Sequence, residues 1–485
     1  MTSAKAPIQI PELHLVNVPI IVVDLDGTLV LTDTLWESVV CFVRTQPFYA
    51  PRLFWWLLKG KAGFKAALLA DAEFDATALP YSTELLEWLK QKKEEGYRLI
   101  LATGANLRIA EAVATHLQLF DMVLASEERT NLTGEIKLQA ISRLLDGNPY
   151  QYIGNSSADI PVWKACNSAI VAGNDGRVTA ELARLNIPVV LRFNTARGSI
   201  RAWVRMLRVH QWIKNVLVLV PALTSHRVFE LPVLAHGLLA FILFSIVASA
   251  IYIANDLLDL PADRMHPDKR NRPIAAGIIS IPAAIVCMVV LLASAGVAAS
   301  MLPAPAGLVL MGYAVASLVY SAYIKKLLIA DVVALTTFYT IRVLFGGLMI
   351  GISLSVWTLA FSVFTFFSLA ASKRINDLAG SKHKQLARRA YSASDAQALT
   401  AHASASATTA VLVLILYLNS PDVTRLYSHP QVLWCLCPLL LYWMTRVITL
   451  ASRGQLPSDP ILMAARDRAS YLTAAAMLAV VAAGV

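Results

Sequence analysis

The sequence predicts two architectures in one chain: an α/β doubly wound domain at the N terminus and an all-α integral membrane bundle after it. Charged residues make up 15% of the chain and hydrophobic residues 57%, with a mean hydropathy of +0.58. That is too apolar for an ordinary soluble protein. The excess is uneven. Residues 1–195 mix charged and apolar positions, whereas from about residue 215 apolar runs of roughly 17–25 residues recur between short polar loops. In the first part, short β-branched runs alternate with amphipathic segments, the pattern of a parallel sheet flanked by helices. The expected boundaries are 1–195 for the α/β domain, 196–213 for a linker and amphipathic segment, and 214–485 for the bundle.

Pro19-Ile20-Ile21-Val22-Val23 has no alternation, as a central strand covered on both faces requires. Its carboxyl end delivers Asp24 and Asp26, with Gly27 allowing a tight turn and Thr28 following. A second strand, Tyr97 to Ala102, ends in Thr103-Gly104 after the amphipathic segment Ser82 to Glu95. A third, Tyr150 to Ile153, ends in Gly154-Asn155-Ser156-Ser157-Ala158-Asp159. Polar residues therefore gather at one edge of the sheet.

In the second part about nine spans are expected, roughly at 214–226, 233–254, 279–301, 305–323, 329–350, 356–372, 405–419, 430–449 and 467–485. The net charge of +10 falls mostly in alternate loops. One face takes Arg264, Lys269, Arg270, Arg272, Lys325, Lys326, Lys373, Arg374, Lys382, Lys384, Arg388, Arg389, Arg453, Arg466 and Arg468, and the other little beyond Arg227 and Arg425. The positive-inside rule makes the crowded face cytoplasmic in a multi-pass cell membrane, with the α/β domain on the same side. Met1 to Val18 carry no secretory pattern, in keeping with that orientation. Nucleic acid is not needed to explain the charge. The five scattered cysteines give no disulfide framework, and the nine histidines form no ligand cluster.

Charged residues at the end of an apolar run are costly and mark function. Asp256, Asp259 and Asp263 stand three and four apart, so a helix lines them on one face. Three such carboxylates repel and call for cations. Mg²⁺ bridging to a diphosphate answers that need, as a hard ion held by few carboxylates plus substrate oxygens. Lys269, Arg270 and Arg272 follow directly.

Asp24-x-Asp26-x-Thr28, Thr103, Lys137 and the Gly154 to Asp159 loop resemble the four ordered motifs of the haloacid dehalogenase (HAD) phosphatases. The resemblance implies Asp24 as nucleophile, Asp26 as general acid and base, and Thr103 and Lys137 holding the phosphoryl group. It also implies Mg²⁺ at Asp24, Asp26, Asn155 and Asp159, and a small helical cap from residue 33 to about 80. The family pattern has an acid where this chain has Asn155, whose carbonyl ligates without charge, so affinity should fall, with Asp159 compensating. Trp55-Trp56 is expected in the cap core rather than at a membrane surface.

Asn255-Asp256-x-x-Asp259-x-x-x-Asp263 through Arg270-Asn271-Arg272-Pro273-Ile274-Ala275-Ala276-Gly277 is similar to the first signature of the UbiA superfamily of intramembrane prenyltransferases. The resemblance implies Mg²⁺ on Asn255, Asp256, Asp259 and Asp263. Ordinary members carry a second Asp-rich motif, but here the corresponding loop holds Lys373, Arg374 and Asp377. A basic wall suits a substrate with a plain phosphate besides its diphosphate, and phosphoribosyl pyrophosphate is one. With Arg208 to Val216, including Lys214 and Asn215, and with Ala465 to Arg468, the chain resembles the polyprenyl-phosphate phosphoribosyltransferase branch. That branch implies transfer of phosphoribose to a polyprenyl phosphate, with Lys214, Asn215, Lys269, Arg270, Arg272, Lys373, Arg374 and Asp377 around the substrates. The fused HAD-like domain would then remove the 5-phosphate of the product. A conventional prenyltransferase, which needs two acidic motifs, and a lipid-binding scaffold with a dead phosphatase-like domain are the competing expectations.

Overall fold

The computed structural model describes residues 18–58, 64, 68, 74–127, 130–174, 176–194, 198–380, 391–421, 423, 427–456 and 459–484. Lys382, Lys384, Arg388, Arg389 and Arg425 lie outside them. The chain packs as two units, one of Met1–Met206 with Asp256–Val286 and one of Leu207–Asn255 with Cys287–Val485. Packing thus joins a segment from between two membrane helices to the N-terminal domain.

In the first unit six strands form one parallel sheet: β1 (Ile20–Val23), β2 (Arg98–Asn106), β3 (Met122–Ser126), β4 (Tyr150–Gly154), β5 (Ser168–Ala172) and β6 (Val189–Phe193). Their order is β3-β2-β1-β4-β5-β6, so the chain starts in the centre and winds out both ways. All four residues of β1 are buried, as its apolar run requires. One face packs Ile21 and Val23 with Leu85, Leu89 and Ile109, and the other packs Ile20 and Val22 with Ile141 and Trp163. Register sets Val23 beside Leu101 and Ile153, which brings the ends of β1, β2 and β4 to one edge.

The expected helical cap is present. The helix Thr34–Thr45 is capped by Asp33, whose side chain accepts from Leu35 N–H. The helix Arg52–Leu57 follows, and Phe42, Phe64 and Leu68 form a small core with Leu53 and Trp56. The expected place in the cap core holds for Trp56, which packs on Phe42 with ring centroids 5.1 Å apart, but not for Trp55, which is exposed.

Seven described helices are long and apolar enough to cross a membrane: Leu231–Leu258, Ile281–Met301, Ala304–Ala322, Ala330–Ile350, Val356–Ala379, Asp395–Leu418 and Pro430–Ser452. Arg468–Gly484 is apolar but shorter. The first expected span differs in kind. Residues Val209–Leu219 form a 3₁₀ stretch and Val220–Thr224 a single helical turn carrying Pro221. Lys214, Asn215 and Val218 of this stretch are buried. Within the second unit Val356–Ala379 packs along Asp395–Leu418 and Ala330–Ile350.

Candidate active sites

At the sheet edge Asp24 follows β1, its N–H donating to Ile153 O at 2.9 Å. Gly27 has φ +74°, the conformation that reverses the chain after Asp26. Lys137 reaches in from the helix Glu135–Leu145 and donates to Asp24 Oδ1 at 2.7 Å, Tyr152 Oη at 3.0 Å and Asp159 Oδ1 at 3.2 Å. Thr28 Oγ1 donates to Asp24 Oδ2 at 3.2 Å. Asp26 Oδ1 accepts from Thr34 N–H at 2.8 Å, so the first turn of the cap helix holds it. Thr103 is fully buried at the end of the apolar run of β2, and its Oγ1 accepts from Ala105 N–H at 3.0 Å.

Burial pushes the carboxyls of both Asp24 and Asp26 above the usual range. For Asp24 the Lys137 ammonium works against this, and for Asp26 the charges of Asp33 and Asp24 add to it, bringing it to about 7. Burial disfavours the Lys137 ammonium, but Asp24 and Asp159 outweigh that and raise its pKa. A buried and a half-buried acid with elevated pKa values suit acid–base work near neutrality.

Asp159 has a different setting from the one expected of a spare ligand. Its Oδ2 accepts from Asn155 N–H, Ser156 N–H and Ser156 Oγ, each at 3.1 Å, and its Oδ1 from Tyr152 Oη at 2.6 Å and from Lys137. The carboxylate is occupied in shaping the loop and holding Lys137. Asn155 stands at the loop's entrance, half-buried.

The second acidic set begins in the last turn of Leu231–Leu258, with Asn255 and Asp256. Asp259 is the N-cap residue of the short helix Leu260–Arg264, which carries Asp263. Asp256 and Asp263 are buried, and one guanidinium, that of Arg272, joins them: Nη1 lies 3.0 Å from Asp256 Oδ1 and also bonds Asp263 Oδ2. Lys269 Nζ is 3.8 Å from Asp263 Oδ1, while Arg270 points to solvent. Among the described residues no group of three or more His, Cys, Asp or Glu is gathered to hold a metal ion. The donor set nevertheless fits one. Arg272 fills a cation's place between two carboxylates, and Asn255 Oδ1 is buried with no hydrogen-bond partner, an all-oxygen arrangement of the kind hard divalent ions take.

In the second unit a basic set converges on a residue the sequence reading missed, Asp459. Its Oδ2 accepts from Lys214 Nζ at 2.7 Å, Lys373 Nζ at 3.3 Å and Tyr339 Oη at 3.3 Å. Burial raises the Asp459 carboxyl pKa, but Lys373 and Lys214 outweigh it and hold it well below the usual range. Asn215 accepts from Arg342 Nε at 2.9 Å and donates to Ser245 Oγ at 3.0 Å. Arg374 is placed differently from a phosphate reader. Only 1% exposed, it donates to Asp331 Oδ2 at 2.6 Å, Asp377 Oδ2 at 3.0 Å and Tyr320 Oη at 3.3 Å, tying three helical segments together. Asp331 and Arg342 were legible as charges inside an apolar run. Asp459 had no such signal beyond an acid preceding Pro460 in a polar loop.

The fold and these sites define a membrane transferase joined to a HAD-like hydrolase domain, and comparison with known proteins agrees: residues 216–463 match the UbiA prenyltransferase family and residues 21–164 the haloacid dehalogenase-like hydrolases. The chain belongs to the UbiA prenyltransferase family. It is 31% identical over 460 residues to an uncharacterized protein, y4nM, of Sinorhizobium fredii, covering 94% of this chain and 89% of that one. It is 33% identical over 268 residues to nodulation protein NoeC of Azorhizobium caulinodans, covering 55% of this chain and 87% of the relative. Decaprenyl-phosphate phosphoribosyltransferase of Mycobacterium tuberculosis is 37% identical over 179 residues, 36% of this chain and 59% of that enzyme.

Proposed function

We propose that the membrane half transfers phosphoribose from phosphoribosyl pyrophosphate to a polyprenyl phosphate. The products are polyprenyl-phosphoribose 5-phosphate and pyrophosphate, and the HAD-like domain removes the 5-phosphate. The observation that carries the reading is that the sequence holds one acidic motif, Asp256 to Asp263, and that where a diphosphate-only transferase needs a second it has basic residues, with Lys373 and Lys214 on Asp459. Similarity to the decaprenyl-phosphate phosphoribosyltransferases supports it.

Asn255, Asp256, Asp259 and Asp263 would hold Mg²⁺, which supplies positive charge to a departing pyrophosphate. Arg272, Lys269 and Arg270 are placed in sequence to bind phosphate oxygens once Arg272 leaves the carboxylates. Lys214 and Lys373 give an ammonium pair for the remaining phosphates, with Asp459 fixing both. The acceptor phosphate is already an oxyanion, so this transfer uses no general base. In the HAD-like domain Asp24, Asp26 and Asn155 would hold the hard ion the family uses. Asp24 attacks phosphorus, protonated Asp26 gives its proton to the leaving ribose oxygen, and Asp26 then takes a proton from water that hydrolyses the aspartyl phosphate. Lys137 and Thr103 hold the phosphoryl oxygens. Both reactions are read as occurring on the cytoplasmic face.

The test is incubation of the full chain in detergent with Mg²⁺, labelled phosphoribosyl pyrophosphate and polyprenyl phosphate, followed by mass analysis of the lipid. Label in lipid that is lost in Asp256→Ala supports the reading, and the mass reports whether the 5-phosphate remains. Activity instead on a prenyl diphosphate with an aromatic acceptor would replace it with conventional prenyl transfer.

A further inference from the structure

Arg264 directly follows Asp263, yet its side chain turns away from the acidic set and is only 7% exposed. Its Nη2 donates to Glu37 Oε1 at 2.6 Å and its Nη1 to Glu37 Oε2 at 3.0 Å, a two-pronged pair with a carboxylate itself 8% exposed. The remaining N–H groups donate to Ala78 O at 3.3 Å and Ala275 O at 3.0 Å. Glu37 lies in the first turn of the cap helix and Ala78 in the 3₁₀ turn that closes the cap. Ala275 belongs to the loop that also carries Arg272. A second grip lies nearby. Gly277 has φ +70°, and a Cβ there would stand 2.6 Å from Leu31 O, so backbone meets backbone just ahead of the cap helix.

A buried ion pair is a poor source of stability, since desolvation consumes most of its attraction, but it fixes geometry well. Here it fixes one loop. Asp263 adjoins the pinned Arg264, and Arg272 lies between Arg264 and the pinned Ala275 and Gly277. We infer that Glu37, a residue of the phosphatase-like cap, is a positioning residue for the transferase: through Arg264 it holds the loop that presents Asp263 and Arg272 to the diphosphate. The inference rests on the transfer reading above. Glu37 touches no substrate and acts through Arg264 alone. The same helical turn supplies Thr34 N–H to Asp26, so the cap helix begins at one active site and braces the other's loop.

The experiment compares the full-length wild type with Glu37→Gln, Glu37→Ala and Glu37→Asp in detergent. The first readout, hydrogen–deuterium exchange of peptides covering residues 261–278, needs no substrate. The second is the split between KM for phosphoribosyl pyrophosphate and kcat. Exchange in 261–278 should quicken in Glu37→Gln and Glu37→Ala while peptides of β1 and β4 stay protected. KM should rise roughly tenfold with kcat changed by less than about twofold, the pattern of lost ground-state binding geometry. Glu37→Asp should recover part of both. Unchanged exchange in Glu37→Ala, or faster exchange spread evenly over the sheet, overturns the inference. So does a wild-type KM in every variant. If the wild type transfers no phosphoribose, the transfer reading falls by itself, and the exchange comparison still decides whether Glu37 holds the loop.

Discussion

The two acidic sites solve one problem by opposite means. Each buries carboxylates and bridges two of them with a single cationic side chain, Lys137 between Asp24 and Asp159 and Arg272 between Asp256 and Asp263. Lys137 is 5% exposed and comes from a helix packed under the sheet, whereas Arg272 is 28% exposed and comes from a loop. A buried lysine is a permanent part of its site. A half-solvated arginine on a loop can give up its carboxylates to another cation and turn to phosphate. The cation at the sheet edge is thus buried with its carboxylates, and the one at the acidic helix end reaches solvent.

The comparison can be broken most sharply by removing the leading acids. Asp24→Asn should cut dephosphorylation at least about 10³-fold while leaving transfer intact, so that lipid product accumulates with its 5-phosphate. Asp256→Ala should do the converse, read in the same lipid-phase mass assay. Next comes stability. Lys137→Met removes a cation that is itself buried and should cost about 3–5 kcal/mol in thermal unfolding of the α/β domain, whereas Arg272→Met, which also strands two buried carboxylates but removes a guanidinium 28% exposed, should cost less. Equal losses would erase the distinction between a fixed and a displaceable cation. A smaller effect concerns Asn155. Asn155→Asp adds a charged ligand and should lower the Mg²⁺ concentration for half-maximal dephosphorylation by roughly five- to tenfold. The least is pH. In the proposed dephosphorylation Asp26 carries the proton given to the leaving oxygen, so with its carboxyl pushed up to about 7 the rate should fall as pH rises beyond that value. In the same proposal Asp24 attacks as the carboxylate, and its raised pKa puts the acid limb higher than for an ordinary carboxylate.

Much of the first domain was legible because its signals are local. An all-apolar β1 ending in Asp24 and Asp26 states both the strand and what it delivers, and the sheet places Thr103 and the Asn155 loop beside it. The acidic helix end was legible as charge closing an apolar run, but not its shape: the helix expected to line Asp256, Asp259 and Asp263 on one face ends at Leu258, and Asp259 caps a second, short helix that carries Asp263. What escaped depends on distant pairing. Asp459 gains its meaning from Lys214, 245 residues earlier, and nothing near either residue announces the other. Arg374 and Asp377 read as substrate groups because they stand in a basic loop, yet Asp331 from another helix turns Arg374 into a brace. Hydropathy expected a helix at 214–226. It records how apolar a run is, and cannot register that Lys214 and Asn215 within it find buried partners in Asp459, Arg342 and Ser245.

The pairing of Glu37 with Arg264 spans 227 residues, and this distance gives the protein an order of assembly. Synthesis proceeds from the N terminus, so the sheet and cap can form while the membrane helices are still unmade. The cap helix then waits with an unmatched acid until Leu231–Leu258 has been laid into the bilayer and the next loop has emerged. The last side-chain contact of the cap helix therefore forms only after the first long apolar helix has been synthesised, because Arg264 follows Leu231–Leu258 in the chain.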